Sequence, residues 1–289
     1  MSTTKTKIIE CPRDAMQGIK NFIPTEQKVR YIQSLLGCGF DTIDFGSFVS
    51  PKAIPQMVDT AAVLSSLDLS KTDTKLLAIV ANVRGAQDAA EHSGINYLGF
   101  PFSISENFQM RNTHKTIEES VGTLQEIFNI ADASNKEVVT YISMGFGNPY
   151  GDPWNVEIVG EWTEKLAKMG AKILSLSDTV GTSDPETIHY LFSNLIPKYP
   201  HIEFGAHLHT TPTQWHEKVH AAYQAGCSRF DGAVQGFGGC PMAKDELTGN
   251  MPTEKMLSYF TAEKANTGVN WMVFEAAYNK ATELFSAYH

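Results

Sequence analysis

His207 and His209 stand two residues apart at the end of an apolar run, in the C-terminal third of the chain. On an extended strand, side chains two positions apart point to the same face. Two imidazoles on one face, near the carboxyl end of a strand, form half of a metal site or an acid/base pair. A His-x-His pair is also often a pair of ordinary packed or surface histidines, so the residues that accompany it decide between these interpretations.

Short apolar strands alternate with amphipathic helices along the chain, and these elements must position the two histidines. We predict eight strands, over residues 7–11, 40–45, 76–80, 96–102, 137–144, 172–176, 202–209 and 229–234. We predict helices over residues 25–36, 54–67, 86–92, 117–133, 156–169, 185–195, 215–225, 254–266 and 269–286, with Thr25 as the N-cap of the first. This alternation predicts right-handed βαβ units and a parallel sheet.

Eight such units over about 250 residues are typical of a closed barrel. We therefore predict the α/β class and a (β/α)8 TIM barrel with an extra C-terminal helix, in a single domain that spans residues 1–289. An open, doubly wound sheet is the alternative. It is weakened because Pro12-Arg13-Asp14-Ala15-Met16-Gln17 follows the first strand, where a glycine-rich dinucleotide fingerprint would stand.

Composition excludes several classes of protein. The formal net charge is −9 and there is no basic stripe, which argues against nucleic acid as the main partner. No apolar run approaches the ~20 residues of a membrane span. The polar start has no signal-peptide pattern, and the four cysteines show no disulfide or metal-binding spacing. Reduced thiols and a cytoplasmic location are therefore expected.

Polar residues follow the predicted strands at the face where TIM barrels carry their chemistry. They are Arg13 and Asp14 after the first strand, Asp44 and Ser47 at the second, Asp178 at the sixth, His207 and His209 on the seventh, and Cys240 and Asn250 after the eighth. Taken singly, several have ordinary explanations. Asp14 and Asn250 suit caps or turns, and Cys240 suits a small buried residue.

Closure of the barrel would make the seventh, eighth and first strands neighbours. Strands lie ~4.8 Å apart, so Asp14, His207, His209 and Asn250 would all reach one point. Two imidazoles, a carboxylate and an amide oxygen suit Mg²⁺ or Mn²⁺ in six-coordination. Zinc fits less well, because it prefers four-coordinate sites rich in thiolate or imidazole.

Six segments of the chain, in the same order, resemble 3-hydroxy-3-methylglutaryl-CoA lyases. The segments are residues 9–17, 47–57, 177–181, 206–209, 236–241 and 249–254. The Ser-Phe-Val-Ser-Pro-Lys segment at 47–52 and the Gly-Gly-Cys-Pro loop at 238–241 are specific to this branch of a superfamily of metal-dependent barrels. That superfamily also includes isopropylmalate and homocitrate synthases and 4-hydroxy-2-oxoacid aldolases.

The resemblance implies a function and assigns roles to residues. It implies a divalent-metal-dependent carbon–carbon lyase that cleaves 3-hydroxy-3-methylglutaryl-CoA, or a close 3-hydroxyacyl-CoA, to acetyl-CoA and acetoacetate. It implies metal ligation by Asp14, His207, His209 and Asn250. It implies catalytic roles for Arg13, Asp14, Asp44, Asp178, His207 and Cys240, and substrate binding by Arg13, Gln17 and Ser47.

The chain also departs from the family pattern. Asp44 stands where the family usually has Glu, Thr210 stands where Asp normally follows the His-x-His pair, and Met242 replaces the usual tyrosine of the loop. Every expected metal ligand is retained. Metal-dependent lyase chemistry is thus the firmer expectation, while the altered surroundings leave the acyl group open.

Two other functions stay open from the sequence. One is a 4-hydroxy-2-oxoacid aldolase or a Claisen-type synthase of the same superfamily. The other is a barrel that binds an acyl-CoA without catalysis, although binding alone does not need Arg13 and Cys240. The terminal helix, with Trp271, Phe274 and Tyr278, is either a homodimer interface or a helix that packs on its own barrel.

Overall fold

The computed structural model describes residues 5–239 and 248–288, and its centre is a closed barrel of eight parallel strands. The strands are β1 (Lys7–Glu10), β2 (Thr42–Ser47), β3 (Lys75–Ile79), β4 (Tyr97–Ser103), β5 (Glu137–Ser143), β6 (Ile173–Asp178), β7 (Glu203–Thr210) and β8 (Arg229–Gly232). Each strand pairs in parallel with the next, and β8 pairs with β1 through Lys7 and Arg229. This closure confirms the predicted barrel and contradicts the open sheet.

Helices connect the strands and surround them. They are α1 (Pro12–Gln17), α2 (Thr25–Leu36), α3 (Thr60–Ser66), α4 (Val83–Ala90), α5 (Glu106–Thr113), α6 (Ile117–Ala133), α7 (Val156–Lys168), α8 (Pro185–Lys198), α9 (Trp215–Gln224), α10 (Thr253–Ala262) and α11 (Trp271–Ser286). A two-residue strand, β9 (Gly249–Asn250), pairs antiparallel with β7. No helix in the described residues is both long and apolar enough to span a bilayer.

Two predicted helix features were wrong. Thr25 is not the N-cap of α2: Pro24 holds that position, and the Thr25 hydroxyl donates instead to Asp59. The helix predicted over 54–67 is broken into a short 3-10 turn, Pro55–Met57, and α3. The break lies at Asp59, which precedes α3 with a non-helical backbone and whose carboxylate accepts hydrogen bonds from Thr25 and Lys28 on α2.

The hydrophobic core lies in two layers, one between the strands and the helices and a smaller one inside the barrel. The inner layer is formed by Leu77, Tyr97, Val139, Tyr141 and Ile173. Arg229 also lies inside, and Gly205 makes room for it, because a Cβ on Gly205 would lie 3.1 Å from the Arg229 side chain. The interior is filled with side chains, as in other barrels of this kind, so the chemistry must lie at one rim.

The terminal helix α11 packs against α2 of its own barrel. Phe274 contacts Phe40 edge to face at 5.9 Å between ring centroids, and Phe285 contacts Tyr31 at 5.8 Å. All four rings are buried. This packing accounts for Phe274 and Phe285 without a second copy of the chain, whereas Trp271 and its neighbour Met272 are exposed. The homodimer stays a prediction.

Candidate active site

A short helix places two charged side chains at the carboxyl end of β1. Pro12 occupies the first turn of α1, where its fixed backbone angle favours a helix and its missing amide hydrogen costs nothing. The chain therefore turns directly from the strand into one and a half turns of helix. Arg13 and Asp14 both become buried there. Buried charges need partners, and these two residues have them.

Arg13 lies between two carboxylates. Its Nη1 donates to Asp14 Oδ1 at 2.9 Å, while Nε and Nη2 donate to Asp44 Oδ2 at 3.1 and 2.5 Å. Burial alone would raise the pKa of Asp14, but Arg13 and the two histidines outweigh it and lower that pKa. Asp14 is therefore kept as a carboxylate at neutral pH. In contrast, burial raises the pKa of Asp44 to about 6, although Arg13 opposes the rise.

The two histidines project from β7 toward the same carboxylate. Their ring centroids lie 5.3 Å apart. Nδ1 of His207 donates to Asp231 Oδ2 on β8 at 3.1 Å, and Nδ1 of His209 donates to the Thr179 carbonyl oxygen at 3.0 Å. Each ring is thus fixed through one nitrogen, and the other nitrogen is left as an acceptor. Buried His209 Nε2 has no hydrogen-bond partner among the described residues.

The two histidines differ in the direction in which their pKa values are shifted. Burial lowers the pKa of His207, but the hydrogen bond and charge of Asp231 outweigh it and raise that pKa above its ordinary value. Burial and the neighbouring His207 lower the pKa of His209. His209 is therefore neutral at pH 7, the form in which an imidazole binds a metal.

Asp14, His207 and His209 form a cluster whose ligand atoms all lie within 4.8 Å of one another. An ionised carboxylate, two oriented imidazoles and an unpartnered buried nitrogen fit a divalent cation. Outer hydrogen bonds of the kind made by Asp231 and Thr179 are what metal-binding histidines normally have. The residues present therefore fit the metal that the sequence predicts.

Asn250 reaches this cluster through β9, whose pairing sets it opposite His209. Its amide nitrogen donates to Asp14 Oδ2 and to the Phe237 carbonyl oxygen, both at 2.8 Å. The nitrogen, rather than the amide oxygen, therefore faces Asp14. Asn250 is in place beside the cluster, and its role as a metal ligand stays a prediction.

The other predicted site residues differ in what they face. Gln17 donates to Asp14 Oδ1 at 2.5 Å, and the buried Ser47 hydroxyl has no partner in the part of the chain described. Asp178 is buried and bonds to Ser183 and Lys218, so its carboxylate is occupied by its own surroundings. Cys240 and Met242 lie outside the described residues. The Thr210 hydroxyl donates to the Thr211 carbonyl oxygen.

Two buried charged residues beside the site, Asp231 and Lys218, were not predicted from the sequence. The sequence carried a signal for Asp231: it lies two positions after Arg229 on β8, and side chains two positions apart on a strand point to the same face, here the inside of the barrel. Lys218 gave no signal, because a lysine on a surface helix ordinarily points to solvent. The structure buries it against Asp178 instead.

Comparison with known proteins gives consistent matches over most of the chain. Residues 6–279 match the family model described as HMGL-like. The chain is 32% identical to the cytoplasmic 3-hydroxy-3-methylglutaryl-CoA lyase of Rattus norvegicus, over 91% of this chain and 76% of that protein. It is 34% identical to the mitochondrial hydroxymethylglutaryl-CoA lyase of Bos taurus, over 92% and 81%.

A solved structure of similar shape contains a ligand. It is an HMG-CoA lyase from Acinetobacter baumannii in complex with coenzyme A and 3-methylmalate. The TM-score is 0.90 at 27% identity, and the alignment covers 99% of this chain and 93% of that one. The fold of this chain is thus that of a solved HMG-CoA lyase.

Proposed function

Since the chain belongs to the HMGL-like family, we propose that it is a divalent-metal-dependent carbon–carbon lyase. Its proposed substrate is 3-hydroxy-3-methylglutaryl-CoA or a close 3-hydroxyacyl-CoA, cleaved to acetyl-CoA and acetoacetate. The observation that carries the proposal is the cluster of Asp14, His207 and His209 with Arg13 directly beside it. The lyase names of the relatives and the coenzyme A complex of a structural neighbour support the substrate class.

Asp14, His207 and His209 would hold the metal, with Asn250 as the proposed fourth ligand from the protein. Bound there, Mg²⁺ or Mn²⁺ would supply Lewis acidity and would orient the substrate oxygens. The protein's own part is to keep these groups in their binding forms. Arg13 keeps Asp14 ionised, and the Thr179 carbonyl fixes the tautomer of His209.

Cleavage next to a tertiary alcohol requires a base for the hydroxyl proton. We assign its removal to a carboxylate beside His207. His207 itself would bind the metal through Nε2, because Asp231 holds the Nδ1 proton of that imidazole. The carbon–carbon bond then breaks to give a ketone and a thioester enolate. Arg13, held in place by Asp44, would stabilise the negative charge that develops on the thioester oxygen. Cys240 is the proposed donor of the proton that the enolate carbon takes up.

A direct assay tests this function. The protein is loaded with Mn²⁺, given 3-hydroxy-3-methylglutaryl-CoA, and the acetoacetate formed is measured. We expect product formation that EDTA abolishes and that Arg13→Met lowers by about 10³-fold, because a donor aimed at the developing oxyanion is lost. Arg84→Met is the matched control, since that arginine is exposed on α4, and it should keep full activity.

Other outcomes of the assay would contradict the proposal. Turnover only of 4-hydroxy-2-oxoacids would identify an aldolase of the same superfamily. Saturable binding of the thioester without any product would identify a binding protein. Acetoacetate formation that survives metal removal would contradict the role given to the cluster.

We also propose that the chain acts as one domain in a reducing cytoplasm. The described cysteines, Cys11, Cys38 and Cys227, are buried free thiols, which is typical of reducing compartments. The relatives include both cytoplasmic and mitochondrial proteins, so fractionation of the source cells is the test. Recovery with an organelle fraction would contradict this location.

A further inference from the structure

Lys218 is a fully buried lysine on the inner face of α9. Its ammonium donates to three oxygens: Asp178 Oδ2 at 2.8 Å, the His209 carbonyl at 2.9 Å and the Gly181 carbonyl at 3.1 Å. An ammonium has three N–H donors, so each of them is used. These oxygens belong to the end of β6, the end of β7 and the loop between β6 and α8. One side chain therefore ties three segments of the catalytic rim together.

Asp178 connects Lys218 to the loop between β6 and α8. Besides Lys218, its carboxylate accepts hydrogen bonds from the Ser183 amide at 3.1 Å and the Ser183 hydroxyl at 2.5 Å. These hydrogen bonds join the first and last residues of the loop over residues 178–183. Thr179 lies in it and is fixed further, because its hydroxyl oxygen accepts from the Met144 amide at 2.8 Å.

His209 is held at two points, and both depend on this arrangement. Its own carbonyl oxygen accepts from Lys218, and its Nδ1 donates to the Thr179 carbonyl beside Asp178. The unpartnered Nε2 is thereby directed at the cluster with Asp14. We propose that Lys218 is a positioning residue for the metal site: through Asp178 and the loop 178–183 it sets the orientation of His209. This inference rests on the metal site of the proposed function.

Charge balance alone does not explain the position of Lys218. A buried ion pair contributes little net stability, because the cost of removing both charges from water offsets their attraction. Lys218 also contacts two backbone carbonyls that an ion pair does not need. Replacing a residue that orients a metal ligand without touching the metal typically weakens metal binding about 10–100-fold.

The test measures Mn²⁺ affinity directly, without substrate. The double variant Lys218→Met/Asp178→Asn removes both charges together and so leaves no unpaired buried ion. Free Mn²⁺ is titrated by electron paramagnetic resonance at a temperature where circular dichroism shows the variant folded. We expect binding about 10–100-fold weaker than that of the unaltered protein. Unchanged affinity would overturn the positioning role.

A second buried lysine–aspartate pair provides the control. Lys28 on α2 lies 2.7 Å from Asp59 and is buried to a similar degree, but it contacts the loop before α3 instead of β7. Lys28→Met/Asp59→Asn should lower the thermal midpoint and leave Mn²⁺ affinity unchanged. An equal loss of affinity in both double variants would mean that general destabilisation is responsible, which also overturns the proposal.

A milder variant covers the case in which the double variant does not fold. Ser183→Ala removes one hydrogen bond to Asp178 and buries no new charge, so it should weaken Mn²⁺ binding by a smaller factor. Unchanged affinity in a folded Ser183→Ala protein would contradict the role of the loop. If the unaltered protein binds no Mn²⁺, the metal site of the proposed function fails instead, and the two failures are thereby distinguished.

Discussion

At the scale of single residues, the site depends on how buried charges are paired. Arg13 is shared between Asp14 and Asp44, and His207 is paired with Asp231. In a low-dielectric rim each pairing sets a protonation state as well as a position. Asp44 stands in place of the usual glutamate and is shorter, but its carboxylate still reaches Arg13. Arg13 is therefore held in place despite this departure from the family pattern.

Asp44→Asn tests that contact. The amide accepts fewer and weaker hydrogen bonds than a carboxylate, so Arg13 should move and kcat should fall by about 10²-fold with a smaller change in KM. Because the pKa of Asp44 is raised to about 6, kcat of the unaltered protein should also decline as pH falls through that value. The variant should lack this inflection, and a pH–rate profile measures both effects. An unchanged profile would show that Asp44 does not control Arg13.

Glu10 provides a prediction on stability. It is fully buried at the end of β1 and accepts from the Val234 amide at 2.9 Å and the Thr253 hydroxyl at 2.6 Å. Burial raises its pKa from 4.5 to about 8, so the folded state keeps a proton that the unfolded chain releases above pH 4.5. Stability should therefore fall between pH 4.5 and 8, by up to about 1.4 kcal/mol per pH unit, and level off above that range.

Glu10→Gln is the matched variant for this effect, since an amide can keep both contacts and does not ionise. Its free energy of unfolding, obtained by urea titration at several pH values, should vary less between pH 4.5 and 8. If the two proteins show the same slope over this range, Glu10 is not the group responsible.

At the scale of elements, the rim is built from short segments that depend on one another. α1 has six residues and β9 has two, and neither would be stable alone. The segment after β8 packs directly on α1: Gly238, at φ +82°, lies so close that a Cβ would be 2.4 Å from the Asp14 carbonyl oxygen. Position 238 therefore determines where Asp14 lies.

Gly238→Ala should displace Asp14 and reduce Mn²⁺ affinity and turnover together. The left-handed backbone angle adds a strain of about 1–3 kcal/mol for a residue with a side chain. Gly122→Ala is the control, because Gly122 lies in α6 with nothing within 4 Å of the added methyl group, and alanine there should stabilise the helix by about 0.5–1 kcal/mol. Calorimetry and Mn²⁺ titration compare the two. Normal Mn²⁺ binding by Gly238→Ala would contradict this account of the rim.

At the scale of the whole molecule, closure of the barrel brings the two ends of the chain together. β1 pairs with β8, and β8 pairs with β7, so Asp14, in the helix that follows the first strand, faces the histidines of the seventh. A cation bound by Asp14, His207 and His209 would join segments from opposite ends of the sequence. Metal binding should therefore stabilise the entire fold.

Removal of metal tests this coupling. Mn²⁺ at 100 times its dissociation constant should add about 2.7 kcal/mol to the free energy of unfolding, and EDTA should remove that increment. His207→Ala should unfold at the same temperature with and without Mn²⁺, because it lacks a ligand. Differential scanning calorimetry checks both. An identical midpoint for the unaltered protein in Mn²⁺ and in EDTA would contradict a metal held by these residues.

The barrel could be predicted from the sequence because its signals are local. Alternating apolar periods, proline at helix starts and glycine at helix ends are properties of neighbouring residues, and they identified all eight strands within a few residues. The same local geometry placed His207 and His209 on one face of β7. The ends of elements were less well predicted, and α1, α5 and β9 were missed, because short polar segments carry too few periodic residues.

Only the tertiary structure decided which distant residues meet. The contact of Asp14 with His207 and His209 depends on closure and on strand register, and a shift of one residue would turn every side chain of a strand to the opposite face. The burial of Lys218 against Asp178 follows from how α9 lies on the barrel, which no local pattern encodes. Sequence therefore determined the elements and the chemical groups that they carry. The packing of those elements determined which groups share a site.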